Sequence, residues 1–350
     1  MTGLSPPDPP QLSAPPRPAP RPGLDGRRLV RLMAAAIERC QLDLAGRVVL
    51  TEAASGAYAV TPVLAALAGA QVCALAAATR YATAGELAAG TARLARLAGV
   101  AGRIELTGDK SPGVVGAADI VTNSGQVRPI DAAMVAAMKP SAVIPLMYES
   151  WEYRGADIDL DACRGRGIPV AGTNETHPAV DVFSFLGPMA TKQLQDAGVA
   201  VYGSRIVLLC DNQFAPFIAD YLRAAGARVT EAKGLSRAVL GQQPDAVVLA
   251  LRPAAQPVLG AAEVALLGAA APGTVLVQYW GDIDRAAAAA SDVPVWPPEA
   301  PHPGHMGVLP SAVGPEPIVR LQAGGLKVGE VLARGLTGAG AEDLAFVQIL

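Results

Sequence analysis

The sequence predicts an α/β fold of two doubly wound parallel-sheet domains, Rossmann-like or flavodoxin-like, with a cleft between them. Three observations carry this. Short apolar runs alternate with longer stretches of helical spacing along most of the chain. Parallel strands need crossover connections, so repeated βα alternation calls for a parallel sheet with helices on both faces. The alternation comes in two series joined by one long helical stretch, and 350 residues are enough for two ordinary cores.

In the first series, strands are expected at Arg47–Leu50, Gln71–Ala77, Arg103–Leu106, Asp119–Thr122, Ala142–Met147 and Ile168–Ala171. Helical spacing falls at Thr61–Ala70, Ala84–Leu97, Pro129–Met138 and Leu160–Arg166, the second of these rich in strong helix formers. The joining helix is expected over Val180–Ala197. In the second series, strands are expected at Arg205–Cys210, Ala227–Thr230, Asp245–Leu251, Gly273–Gln278 and Val293–Trp296. A helix over Phe214–Ala225 ends at Gly226, a typical C-terminal glycine. Another over Asp282–Ala290 starts with acidic residues, as the helix dipole prefers. Ile318–Arg334 has helical spacing despite Gly324 and Gly325, and is expected to return to the first domain.

Composition excludes several classes of function. The net charge is −3 with no basic block, which speaks against nucleic acid as a partner. No apolar run approaches the roughly 18 uninterrupted residues of a membrane span. The Pro-rich start, residues 1–23, reads as an extended or disordered leader without the apolar core of a signal peptide, so cytoplasm is the expected location. Cys40, Cys73, Cys163 and Cys210 stand far apart without a C-x-x-C pair, so neither a metal site nor a disulfide framework is expected. Cys73 and Cys210 read as small apolar residues inside strands. No GxSxG, HExxH or Walker A motif is present.

In doubly wound sheets ligands bind beyond the carboxyl ends of the strands. The densest polar cluster at such an end is Tyr148-Glu149-Ser150-Trp151-Glu152-Tyr153-Arg154. Aromatics make up only 4% of the chain, yet they gather here. Glu149 and Glu152 are candidate acid–base groups, with Tyr148 and Trp151 as binding residues for a polar or cationic small molecule. The alternative is a surface loop covering the domain edge. Thr173-Asn174-Glu175-Thr176-His177-Pro178 also follows a strand. His177 is one of only three histidines and a candidate acid or base near neutral pH, with Asn174 and Glu175 at the substrate. The alternative is a capping loop, with Thr176 or Asp181 as cap. Thr51–Tyr58 either admits a ligand to a helix N-terminus or holds Ser55 as a cap. After a strand of the second series, Trp280 is free to stack on a ring, and Asp282 reads as a helix cap.

The order of segments resembles the D-2-hydroxyacid dehydrogenase superfamily, which also contains formate and phosphoglycerate dehydrogenases. The likeness covers roughly Asp119–Arg334. It runs through MKP (Met138–Pro140), DIDLDAC (Asp157–Cys163), RGIPVAGTN (Arg166–Asn174), PGTVLVQ (Pro272–Gln278) and GVLPSAVGPEP (Gly307–Pro317). It implies a substrate-type domain of residues 24–185 plus 312–350, a Rossmann-like domain of 186–311 inserted into it, and a homodimer. It makes Asn123, Ser124 and Gly125 a loop whose N–H groups hold a substrate carboxylate, with Arg128 as a bidentate partner; the alternative is turn chemistry, which Asn, Ser and Gly favour anyway.

The departures are as informative. Where the family carries its Gly-rich phosphate fingerprint, this chain has Cys210-Asp211-Asn212-Gln213-Phe214-Ala215. NAD or NADP is the cofactor the resemblance implies. Asn212 and Gln213 then stand at the phosphates, Trp280 at a ring, and Lys233 where an acid often meets the ribose, either as a partner for a 2′-phosphate or as a solvated lysine. The family's catalytic arginine falls near Tyr279, Trp280 and Gly281, and its histidine at or beside Ser311, with His302 and His305 slightly upstream. The resemblance thus leads most simply to an NAD(P)-linked oxidoreductase of a small polar metabolite with atypical cofactor contacts. The rewritten positions lead to a non-redox lyase or isomerase, or to an inactive ligand-binding homologue without a dinucleotide. A purely structural role as a partner protein is the third reading.

Overall fold

The computed structural model describes residues 21–79 and 81–350. The Pro-rich leader lies almost wholly outside the described residues. The chain forms two doubly wound bodies facing each other across a cleft. In the first, β1 (Val48–Glu52), β2 (Gln71–Leu75), β3 (Ile104–Thr107), β4 (Ile120–Val121), β5 (Ile144–Pro145) and β6 (Val170–Thr173) are parallel. The order β3-β2-β1-β4 continues through an Ile120–Val143 bridge into β5 and β6. In the second, β7 (Arg205–Cys210), β8 (Arg228–Ala232), β9 (Ala246–Ala250), β10 (Val275–Trp280) and β11 (Val295–Trp296) stand in the order β8-β7-β9-β10-β11, all parallel. A last strand, β12 (Val347–Ile349), lies antiparallel on β6.

Each sheet carries one apolar core on either face. Neighbouring strand residues feed opposite cores, as the pleat requires: Val49 one and Leu50 the other, Ile206 one and Val207 the other. The tail helix, Glu316–Arg334, does return to the first body, and it is buried almost all round. Its glycines allow this. A Cβ on Gly324 would stand 2.7 Å from Val180, and one on Gly325 2.6 Å from the Met147 sulfur.

Several expected elements differ in extent. The helix expected over Val180–Ala197 begins only at Leu186, because Asp181 takes a left-handed conformation (φ 49°) and Phe183–Phe185 forms a 3-10 turn. The helix expected over Pro129–Met138 is Ala132–Ala137, started by Asp131, whose carboxylate accepts the Met134 N–H at 2.8 Å. Ser55 makes no cap, and Asp284 rather than Asp282 caps the helix Arg285–Ala290. The opening helix, Gly26–Cys40, capped by Asp25, and β12 both go unmarked in the sequence pattern. Among the described residues no helix is long and apolar enough to cross a membrane.

Candidate functional site

The carboxyl ends of β1, β4, β5 and β6 face the second body, and the polar residues gather there. Past β5 the chain turns sharply, and the loop Tyr148–Glu152 lies against β6. Gly172 permits the contact, since a Cβ there would come within 2.4 Å of the Ser150 nitrogen. This brings Glu149, Glu152 and Glu175 together, two from the loop and one from beyond β6. Glu149 is 2% exposed and Glu175 8%.

Glu149 is surrounded by donors. Gln213 Nε2 of the second body donates to Oε2 at 3.1 Å, and Trp151 Nε1 donates to the same oxygen. Gln348 Nε2 from β12 and the Glu175 N–H reach Oε1, each at 3.3 Å. The other two carboxyls have less support: Glu152 and Glu175 each lie within hydrogen-bond reach of the Glu149 backbone N–H. Burial, then the Glu149 charge, pushes Glu152 up to about 7. Burial, then Glu152 and Glu149, holds Glu175 well above the usual carboxyl range. Glu149 is thus the member built to carry the charge, and the others keep their protons longer. Tyr58, from the turn after β1, lies beside this group. Burial, then Glu175, pushes its phenol up to about 12.

Trp151 closes the cluster toward the second body. Its ring lies 5.1 Å from Trp280 and 6.2 Å from Phe214, centroid to centroid, and Phe214 lies 5.2 Å from Trp280. Trp280 Nε1 donates to the Gly304 carbonyl at 3.2 Å, tying the cluster to the loop that carries His302 and His305.

Other candidates are engaged elsewhere. The carboxylate of Asp157 takes Arg128 at 2.9 Å and the Tyr148 hydroxyl at 3.2 Å, so Arg128 is already neutralised rather than held ready for a substrate. Asn123 Oδ1 accepts the Met147 N–H at 2.8 Å, while its buried Nδ2 has no hydrogen-bond partner among the described residues. Ser124 bonds to Thr122 at 2.7 Å, and Gly125 makes room for Glu52. Asn174 binds the C-terminal segment through the Ala345 carbonyl at 2.9 Å. His177 is not brought to Glu149 and Glu152. Its ring stacks on Phe346 with centroids 3.7 Å apart, its Nδ1 accepts the Ala179 N–H, and burial lowers its basicity. Sequence reasoning missed Gln348 and Phe214. Gln348 sits on β12, which the sequence pattern left unmarked.

A dinucleotide of the kind the resemblance implies would lie at the crevice between β7 and β9, where the strand order reverses. The residues there do not fit a pyrophosphate. Asn212 Nδ2 donates to the Ala250 carbonyl at 2.8 Å, and Asp211 Oδ1 accepts the Arg252 N–H at 3.0 Å. Asn212 Oδ1 takes the Phe214 N–H at 3.0 Å, and Pro216, the second residue of the helix Ala215–Ala224, has no N–H to offer. The Phe214 and Ala215 N–H groups are both taken by Asn212, Pro216 offers none, and the Asp211 carboxylate stands beside them. Asn212 therefore locks the turn, Gln213 reaches Glu149, and Lys233 lies exposed just past β8. Among the described residues no group of three His, Cys, Asp or Glu side chains is placed to hold a metal.

No protein-family model and no curated protein matches this chain. Solved structures do. A dipicolinate synthase polypeptide from Bacillus halodurans superposes with a TM-score of 0.53 at 12% identity, over 85% of this chain and 100% of that one. Its counterpart in the dipicolinate synthase of Bacillus subtilis gives 0.54 at 12% identity, over 85% and 98%. A Ralstonia solanacearum protein named for D-3-phosphoglycerate dehydrogenase gives 0.50 at 13% identity, over 85% and 97%. At such identities the likeness shows the fold alone, a two-domain α/β arrangement that this chain shares with those proteins.

Proposed function

We propose that this chain is an enzyme that binds a small polar metabolite between its two bodies and moves a proton with Glu152, in a non-redox lyase or isomerase type of reaction. One observation carries the reading: Glu152 meets the buried Glu149 and Glu175 at the cleft, and desolvation with the Glu149 charge beside it pushes its carboxyl up to about 7. An acid–base group works best when its pKa lies near the working pH. Protonated, Glu152 would donate to an oxygen or nitrogen that gains charge. Ionised, it would accept a proton from an acidic C–H. Glu149, held by four donors, would supply the fixed negative charge, and Trp151 and Trp280 the apolar wall.

An NAD(P)-linked oxidoreductase is the second reading, favoured by the doubly wound second sheet that the solved dehydrogenase-type structures share. We assign residues 24–185 with 312–350 to the metabolite-binding domain and 186–311 to the inserted one, and carry over a homodimer from the resemblance, to be checked by light scattering. The two readings separate in one titration of the full chain with NADH and NADPH, followed by nucleotide fluorescence and thermal unfolding. A ligand that binds the folded state raises Tm by mass action. No binding at millimolar nucleotide supports the proton-transfer reading. Micromolar binding overturns it and sends the search to oxo acids and imines as substrates.

A further inference from the structure

The β7–α turn does not cradle phosphate, yet it is not idle. Asp211 and Asn212 brace it against the end of β9 at 3.0 and 2.8 Å. Phe214 anchors it in the aromatic cluster with Trp151, Trp280 and Phe183. Gln213 stands between these fixed points, exposed along most of its length, and its amide ends 3.1 Å from the buried Glu149 oxygen on the other side of the cleft. A braced backbone that delivers one amide to one carboxylate is the geometry of a positioning group.

We propose that Gln213 is a positioning residue for the carboxyl triad: reaching across the cleft, it holds Glu149 as the charged member and thereby leaves Glu152 as the member that carries the proton. The proposal rests on the proton-transfer reading above. A hydrogen bond to an ionised carboxylate is stronger than one to a neutral carboxyl, so the amide favours charge on the oxygen it touches. Three carboxyls this close do not share several charges cheaply, so charge held on Glu149 keeps protons on its neighbours. The groups facing Glu152 are Tyr148, Glu149 and Arg154 from its own loop, Glu175 from beyond β6 and Tyr58 from the turn after β1. Of these, Glu149 accepts a hydrogen bond from Gln213 of the second body, and Arg154 lies within electrostatic reach of His305 there. The contact from the second body therefore bears on which carboxyl is the acid.

The test is a carboxyl-carbon NMR titration of the full chain labelled at glutamate, with the Glu152 signal assigned by its loss in Glu152→Gln. Gln213→Ala lets part of the charge move to Glu152, and its midpoint falls by about half a unit to one unit, the size of one charge-assisted hydrogen bond. Asp211→Ala is the control. It loosens the same turn at the Arg252 N–H without touching Glu149, and leaves the midpoint where it was. A midpoint unmoved or raised in Gln213→Ala overturns the proposal while the proton-transfer reading stands. So does an equal fall in Asp211→Ala, which would mean that loosening alone is responsible. A wild-type Glu152 titrating in the ordinary carboxyl range overturns the proton-transfer reading, and this inference with it.

Discussion

Gly125 lies so close to the Glu52 carboxyl that a Cβ on it would stand 2.0 Å from Oε2. The carboxyl is held there by the Gln126 N–H at 3.0 Å, and burial raises its pKa. The small loop after β4 is therefore shaped around a side chain from β1, at the point where the strand order of the first sheet reverses. Gly125→Ala has to push Glu52 off its partner and should cost about 1–3 kcal/mol in urea unfolding. In a Glu52→Ala background the same change should cost well under half as much, because the obstruction has gone. A double-mutant cycle reads the coupling directly. Additive costs would show that the loop and Glu52 are independent.

Glu152 also predicts the shape of the stability curve. Its folded pKa, about 7, lies above the ordinary value of 4.5. A raised carboxyl penalises the folded state only once it must ionise. Its contribution to stability is therefore fully present below about pH 4.5 and is lost as pH rises through about 7. Glu152→Gln removes that loss and should be more stable than wild type at pH 8, by about 1–3 kcal/mol, while at pH 4 the two nearly coincide. Thermal melts across this range check it. Equal Tm differences at both ends would mean that Glu152 does not titrate in this window.

The alternation of apolar runs was enough to read every parallel strand, though not β12, because the central strands of a doubly wound sheet are buried on both faces and stand out against their flanks. The carboxyl group was legible for the same reason: Glu149, Glu152 and Glu175 each follow a strand, and strand ends converge. What the chain does after convergence was not legible. His177 also follows a strand, but its ring turns to Phe346, far away in sequence. Arg128 looked free because Asp157, its partner, belongs to a different loop. Gln213 read only as part of a missing glycine motif, since nothing local marks a side chain that crosses a cleft. Pairings of this kind are set by tertiary packing, to which periodicity is blind.

Trp151 is 42% exposed, yet its ring spans the cleft to Trp280 and Phe214. Aromatic contacts of this geometry are worth about 0.5–1.5 kcal/mol each beyond the area they bury. Trp151→Ala should therefore lower stability by about 1–3 kcal/mol and loosen the second body over the carboxyl group. The sharper readout is the buried Trp280, whose fluorescence should become more accessible to acrylamide. Trp151→Phe, which keeps a ring and loses the N–H to Glu149, should leave that accessibility close to wild type. Quenching that is unchanged in Trp151→Ala would mean that the bodies are held together by other contacts.

The tail helix sets a last expectation, because two forces oppose each other in it. Glycine inside a helix is worse than alanine by about 1 kcal/mol, so Gly324→Ala and Gly325→Ala should each stabilise a free helix by that amount. Here the added methyl would meet Val180 at 2.7 Å or the Met147 sulfur at 2.6 Å, with Thr173 at 3.0 Å behind the first. Overpacking costs about 1–3 kcal/mol, and the partners differ in how well they can yield. Met147 is unbranched and can turn its sulfur aside, so Gly325→Ala should come out near neutral. Val180 is β-branched, and Thr173 is fixed by its hydroxyl on the Leu146 carbonyl at 2.7 Å, so Gly324→Ala should be net destabilising. Thr173 opens directly into Asn174 and Glu175, so the strain should also reach the carboxyl group. The Glu152 midpoint should therefore shift in Gly324→Ala and stay in place in Gly325→Ala, and equal melting temperatures for the two variants would contradict the packing account.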